Sequence, residues 1–161
     1  MRNTNMKSTI ITCALGAIIL SCNLNKEKII PMNNVSNSEM ELYRKLAIEK
    51  GDTIAYKELE LENYESDSFL YVSLIMANKY NYPSAYYNVF HSLVKQSNKK
   101  ELEALDDLDE ITKKMAIDYL MMGAEKGDKQ CQNILGIFYL EGKYLKKDVE
   151  KGNRLIEDSK E

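Results

Sequence analysis

One histidine, three cysteines and a run of acids are the residues of this 161-residue chain whose side chains are equipped for chemistry. His91 stands between Phe90 and Ser92, with no second imidazole in the sequence. Zinc sites and Ser–His or Cys–His nucleophile systems need imidazole with placed partners, so His91 reads as a partly exposed helix residue. Glu101, Glu103, Asp106, Asp107, Asp109 and Glu110 offer oxygens for calcium, but without the central glycine and ligand spacing of a calcium loop. They read as a solvated loop ending in a helix cap. No pair of carboxylates is singled out for glycosidase chemistry, and no glycine loop is present to cradle phosphate. The expectation is a protein that is not an enzyme and carries no cofactor or metal.

Cys22 is the thiol with an informative neighbourhood. Arg2 and Lys7 supply a positive start, Ile10 to Leu20 is an uncharged apolar run, and Ser21 puts a small residue before the cysteine. That is the pattern of a secretory signal, too short for a membrane-spanning helix of about 20 residues. Ile19-Leu20-Ser21-Cys22 resembles the lipobox of bacterial lipoproteins. The resemblance implies that residues 1–21 are removed, that the Cys22 thiol carries a diacylglyceryl group and that the new amine is acylated. Two lipid signals anchor stably where one chain holds only marginally. Asn23 is not the aspartate that marks inner-membrane retention in many enteric bacteria, so the resemblance favours the outer membrane. Residues 22–37, with Pro31, Asn33, Asn34 and Asn37, read as a lipidated flexible tether. Cys13 leaves with the signal, so Cys131 has no disulfide partner and acts as a small hydrophobe on a helix face.

With 22 basic residues against 25 acidic ones the net charge is −3, and loss of the signal removes two cations and no acid. Phosphate contacts need clustered cations, so nucleic acid is not an expected partner. The 44% hydrophobic and 29% charged residues suffice for one domain, placed at residues 38–161.

That domain reads as all-α. Ser38-Glu39-Met40-Glu41 fits a capping box for a helix to about Lys50. Gly51-Asp52 turns into a second helix from Thr53 to about Tyr64, broken at Glu65, Ser66 and Asp67. A third runs from Ser68 to Tyr80, and a fourth from Pro83 to about Gln96. Residues 97–109 read as loop or frayed helix. A fifth helix spans Glu110 to Lys126, with Ile111, Met115, Tyr119 and Met122 at helical spacing. A sixth ends at Gly142, and Asp148 caps a last helix with Val149, Gly152 and Ile156 inward.

The turns repeat. Ala47-Ile48-Glu49-Lys50-Gly51-Asp52 matches Gly123-Ala124-Glu125-Lys126-Gly127-Asp128 at an offset of 76. At an offset of 30, Ala77, Ala85 and Val89 stand in for Ala47, Ala55 and Leu59. Helices joined by a tight turn cross closely only where one side chain at the contact is small. A lone hairpin cannot bury its apolar face, and stacking three solves that. The stretch from Met115 to Ser159 resembles the Sel-one-like repeat, a relative of the tetratricopeptide repeat. Ala116, Tyr119, Leu120, Ala124, Gly127, Leu135-Gly136, Tyr139, Gly142, Asp148 and Lys151 carry the likeness. Cys131, Tyr144 and Gly152 depart from it, replacing an alanine, a glycine and an alanine. Residues 38–96 match in spacing alone. The resemblance implies an α/α superhelical solenoid of about three helical hairpins, whose concave face elsewhere holds proteins or peptides.

The 11 tyrosines, with no tryptophan, remain to be placed. Exposed aromatic rings are typical partner anchors, which makes Tyr56, Tyr86, Tyr87 and Phe90, with Tyr80 and Tyr82 at the rim, candidate protein-binding residues. Core packing between hairpins is the competing use. The expected function is a membrane-anchored protein-protein interaction module of the bacterial cell envelope. Immunity against an antibacterial toxin is one use of such a module; an envelope assembly scaffold or regulator is the alternative, and an envelope hydrolase a remote one. The expected partners are a protein or peptide, and the membrane through lipid on Cys22. Cys22→Ser supplies a hydroxyl where the lipid transfer needs a thiol. Labelling by a fatty-acid analogue, present in the parent chain, is expected to vanish in this variant, and persistent labelling would remove the anchor.

Overall fold

The order in which helices begin and stop is set by a few short-range bonds. In the computed structural model, which describes residues 36–63, 67–95, 97 and 99–161, every regular element is helical. These residues belong to one unit, Met32–Glu161. The signal, Cys22, the tether up to residue 35 and the break at Glu65 and Ser66 lie outside the described residues.

Helix α1 (Asn37–Lys50) starts two residues earlier than the expected box. Ser36 Oγ accepts from the Glu39 amide, and Glu39 Oε2 accepts from the Ser36 amide at 2.8 Å. The sequence Ser36-Asn37-Ser38-Glu39 contains an overlapping Ser-x-x-Glu, and the earlier box lengthens the helix. Glu41, freed from capping, pairs with Arg44 at 2.7 Å. Helices α2 (Thr53–Asn63), α3 (Asp67–Asn78), α4 (Pro83–Val94), α6 (Glu110–Glu125), α7 (Lys129–Glu141) and α8 (Val149–Asp158) fall where the sequence places them, within a few residues. The segment expected as loop or frayed helix holds two short helical pieces. It forms α5 (Glu101–Ala104) and a 3₁₀ turn (Leu105–Asp107), because Ala104 and Leu105 are fully buried and pull it onto the body.

Three pairs form hairpins, α1 with α2, α3 with α4, and α6 with α7; α8 then lies along α7. At the hairpin turns Gly51, Asn81 and Gly127, offset by 30 and 76, all have positive φ (67°, 53° and 82°). In the first two turns the left-handed residue donates to the alanine four back, and the next residue donates to the carbonyl six back. The four-back bond is that of an αL cap; the third turn closes as a Schellman motif instead, Gly127 donating to Ala124 and Asp128 to Gly123. Asp52 and Asp128 then cap the following helices, accepting from the Ala55 and Cys131 amides among others.

The paired small residues stand at the crossings, as the repeat implies. Ala47, Ala55, Ala77, Ala85, Cys131, Leu59, Val89 and Leu135 are all buried. The third hairpin shows why glycine replaces alanine at 123: a Cβ there would run into Cys131 Sγ and would lie 2.8 Å from Tyr86 Cβ. The larger Cys131, where the other hairpins have alanine, is matched by the smaller Gly123. Between α7 and α8 the same device is doubled. A Cβ on Gly136 would sit 2.7 Å from Ile156 Cγ1, and one on Gly152 would sit 2.9 Å from the Gly136 carbonyl oxygen.

One position expected to face inward, Val149, is corrected, and Ile111 lies outside the buried stripe that its spacing suggests. Ile111 is 83% exposed and Val149 49% exposed. Each sits in the first turn of its helix, past the edge of the neighbour that covers the rest of that face. Tyr144, where the family resemblance has glycine, takes the left-handed conformation anyway (φ 61°). Its ring packs edge-on against Phe138 at 5.0 Å and its hydroxyl donates to Asp106 at 2.7 Å, which offsets the backbone strain.

Gly127 has no atom within 4 Å of an added Cβ, so substitution there tests backbone conformation alone. Gly127→Val is expected to cost about 1 kcal/mol or more in chemical denaturation, with Gly127→Asn costing less. Equal stability of the valine variant would contradict the left-handed turn.

Candidate functional site

The six candidate aromatic rings do not form one exposed surface. Tyr56 and Phe90 are fully buried and Tyr86 is 3% exposed, so these three are corrected from partner anchors to core residues. The reason is positional: they lie on α2 and α4, the second helices of their hairpins, at positions that face the neighbouring pair. Tyr56 stacks on Phe69 at 5.3 Å and takes the Tyr82 edge at 5.6 Å. Its hydroxyl bonds Ser73 Oγ at 2.8 Å and accepts from Asn88 Nδ2 at 2.9 Å, and Asn88 also donates to Glu60 at 2.8 Å. Burial pushes the Tyr56 hydroxyl pKa upward. Tyr86 tilts against Tyr119 and donates to Asn81 Oδ1. Tyr80 covers Gly51 and donates to the Ile48 carbonyl at 3.0 Å, tying the second hairpin to the first.

Tyr87 is different. It is half-buried and opens onto a cleft of about 380 Å³. The walls come from four places: Tyr87 from α4, Glu101 from α5, Lys129, Gln130, Asn133 and Ile134 from α7, and Ser159 at the end of α8. Glu101 Oε1 accepts from the Tyr87 hydroxyl at 3.0 Å and meets His91 Nδ1 at 3.2 Å. His91 is therefore half-buried and engaged with α5, rather than standing loose on a helix surface. On its other side Glu101 borders a smaller hollow lined by His91, Lys95 and Lys99. One carboxylate, one ammonium and two amide-bearing side chains suit a polar ligand or peptide backbone.

The acids beyond Glu101 hold the strap formed by α5 and the 3₁₀ turn in place. Asp107 takes Lys99 and the Ser97 hydroxyl, both at 2.6 Å, and Asp106 takes Tyr144 and Lys143. The Tyr144 hydroxyl, then Lys143, hold Asp106 below the usual carboxylate range, and Lys99 does the same for Asp107. Asp109 caps α6, accepting from the Ile111 and Thr112 amides. Among the described residues no three of His, Cys, Asp and Glu gather as a metal site. Cys131 is fully buried and its thiol pKa is pushed up by burial.

A second surface was not foreseen. Ile117, Met121, Tyr144 and Leu145 line an open groove of about 320 Å³ along α6, and Met121 borders a further hollow with Tyr139, Lys151 and Leu155. In the repeat register Tyr71 and Ile75 of α3 correspond to Ile117 and Met121 of α6, and Tyr71 is 59% exposed. Apolar side chains therefore recur at these positions on α3 and α6, where α1 has Glu41 and Lys45. The offsets of 30 and 76 contained this signal, since apolar residues at 71, 75, 117 and 121 fall outside the turn positions.

Compared with known proteins, the chain matches no family model, no curated protein and no solved structure.

Tyr86→Ala is expected to cost roughly 3–5 kcal/mol of stability as a truncated core ring. Tyr87→Phe should cost only about 0.5–1.5 kcal/mol, through loss of the bond to Glu101. Denaturant midpoints measure both; similar losses in the two variants would place Tyr87 in the core as well.

Proposed function

We propose that this chain is a lipid-anchored protein-binding module of the bacterial cell envelope. Its body is an α/α solenoid that offers the first helices of its hairpins to a protein or peptide. One observation carries the reading: three hairpins set side by side, each turned at a residue of positive φ, with apolar residues at Tyr71, Ile75, Ile117 and Met121 on the first helices of the second and third. Helix pairs that pack on chain neighbours build an extended surface without closing it, and such surfaces serve contact. The lipobox pattern before Cys22 supports the anchor, and the secretory signal supports export. Two uses fit the same surface, neutralisation of an antibacterial toxin and scaffolding or regulation of envelope assembly.

A photo-cross-linking residue placed at Tyr71 or Met121 of the full chain, in its own envelope, tests the face. Both positions are expected to give the same heteromeric adduct, and an exposed position on the strap, Glu103, to give none. Tyr71→Ala is expected to weaken that complex by about 2 kcal/mol or more with the melting temperature unchanged. No adduct from either position, or an equal yield from Glu103, would reject the surface. The identity of the captured protein, a secreted toxin or an envelope assembly factor, separates the two uses.

A further inference from the structure

We propose that the outward face of α2 is a self-association surface, on which two copies of this chain pair about a two-fold axis. The repeat register shows what that face is for. Glu58 of α2 corresponds to Asn88 of α4 and to Ile134 of α7. Asn88 is 1% exposed, and its amide reaches back to Tyr56 and Glu60 of α2. Ile134 is 6% exposed, on a helix that packs against α4. In the second and third hairpins this position is thus buried towards the preceding hairpin's second helix. Among the described residues no hairpin precedes the first, and the corresponding face of α2 is open. Ile54 is 72% exposed and Leu61 63%, and Leu42 of α1, the counterpart of buried Val72, is 52% exposed.

The open face is self-complementary. Ile54, Lys57, Glu58 and Leu61 follow the i, i+3, i+4, i+7 spacing and share one side of α2. When two such helices lie antiparallel about an axis between residues 57 and 58, Ile54 of each copy meets Leu61 of the other. Lys57 then meets Glu58 of the other copy, and the two-fold makes that contact twice. An isologous interface requires this reciprocity, in which residue i meets j and j meets i. Among the described residues neither Lys57 nor Glu58 has an ion pair or side-chain hydrogen bond. The patch is small beside the roughly 1,200–2,000 Å² buried in stable complexes, so the pairing is weak and reversible in solution. On the anchor reading, confinement to one membrane raises the effective concentration and favours the pair there.

Sedimentation of the full chain in detergent, over a range of protein concentrations, tests this. A reversible dimer is expected. Lys57→Glu and Glu58→Lys should each weaken it about tenfold, because each places like charges opposite one another twice. The double exchange should restore affinity to within about threefold of the parent, and Ile54→Asp should abolish the dimer, with melting temperatures unchanged throughout. A monomer at every concentration, with Leu61→Cys protected from a thiol reagent by the chain's own N-terminal segment or left accessible, would overturn the proposal. So would a dimer indifferent to Ile54→Asp, or a double exchange that fails to restore it. The adducts sought from Tyr71 and Met121 are read separately, so the two surfaces stand or fall independently.

Discussion

The close crossing of two helices joined by a left-handed residue is the constraint on which the rest of this structure depends. Gly51, Asn81 and Gly127 reverse the chain within a few residues, which leaves the next helix no choice but to run back along the last. Contact at that range tolerates no large side chain on both helices. Alanine faces alanine in the first two hairpins, and glycine faces cysteine in the third. Asparagine serves at position 81 because it visits the left-handed region more easily than other side chains, and its own oxygen accepts from Tyr86.

What joins hairpin to hairpin is different in kind. Three of the six buried rings, Tyr56, Tyr86 and Tyr119, bring a hydroxyl into the core; Phe69, Phe90 and Phe138 do not. A buried hydroxyl without a partner is costly, and those between the hairpins are satisfied across the seam. Tyr56 bonds Ser73 and Asn88, Tyr119 accepts from Asn78 at 2.7 Å, and Tyr80 reaches the Ile48 carbonyl. The rings fill space while the hydroxyls set register, because each bond forms only at one relative position of the two pairs. Several of the tyrosines therefore serve the joints between hairpins.

The strap formed by α5 and the 3₁₀ turn interrupts the hairpin rhythm between α4 and α6. Leu105 plugs the core, while Glu101, Asp106 and Asp107 hold the strap to α4, to the α7–α8 loop and to its own lysine. The same insertion walls the polar cleft at Tyr87. Opposite in character is the apolar groove of Ile117 and Met121, built on the regular repeat itself. The cleft is a product of the irregularity and the groove a product of the periodicity.

Seven of the helices, most of their caps and the places where the chain turns could be read from short stretches of sequence, although the α1 cap lies two residues before the expected one. These depend on residues within one or two turns of each other: Gly51 after Lys50, Asp128 before Lys129, Pro83 at the start of α4. The repeat was legible for the same reason, since each hairpin poses the same local problem and answers it with the same residues. Which aromatic rings lie open to solvent was not legible. Whether Tyr56, Tyr86 and Phe90 stand in solvent depends on how neighbouring hairpins pack, and a ring on a second helix looks the same in sequence whether the next pair covers it or not. Packing buried those three, left Tyr87 on a cleft, exposed Tyr71, and drew residues 101–107 onto the body through Ala104 and Leu105. Burial is a property of pairs of surfaces, and only the tertiary structure brings the two members of each pair together.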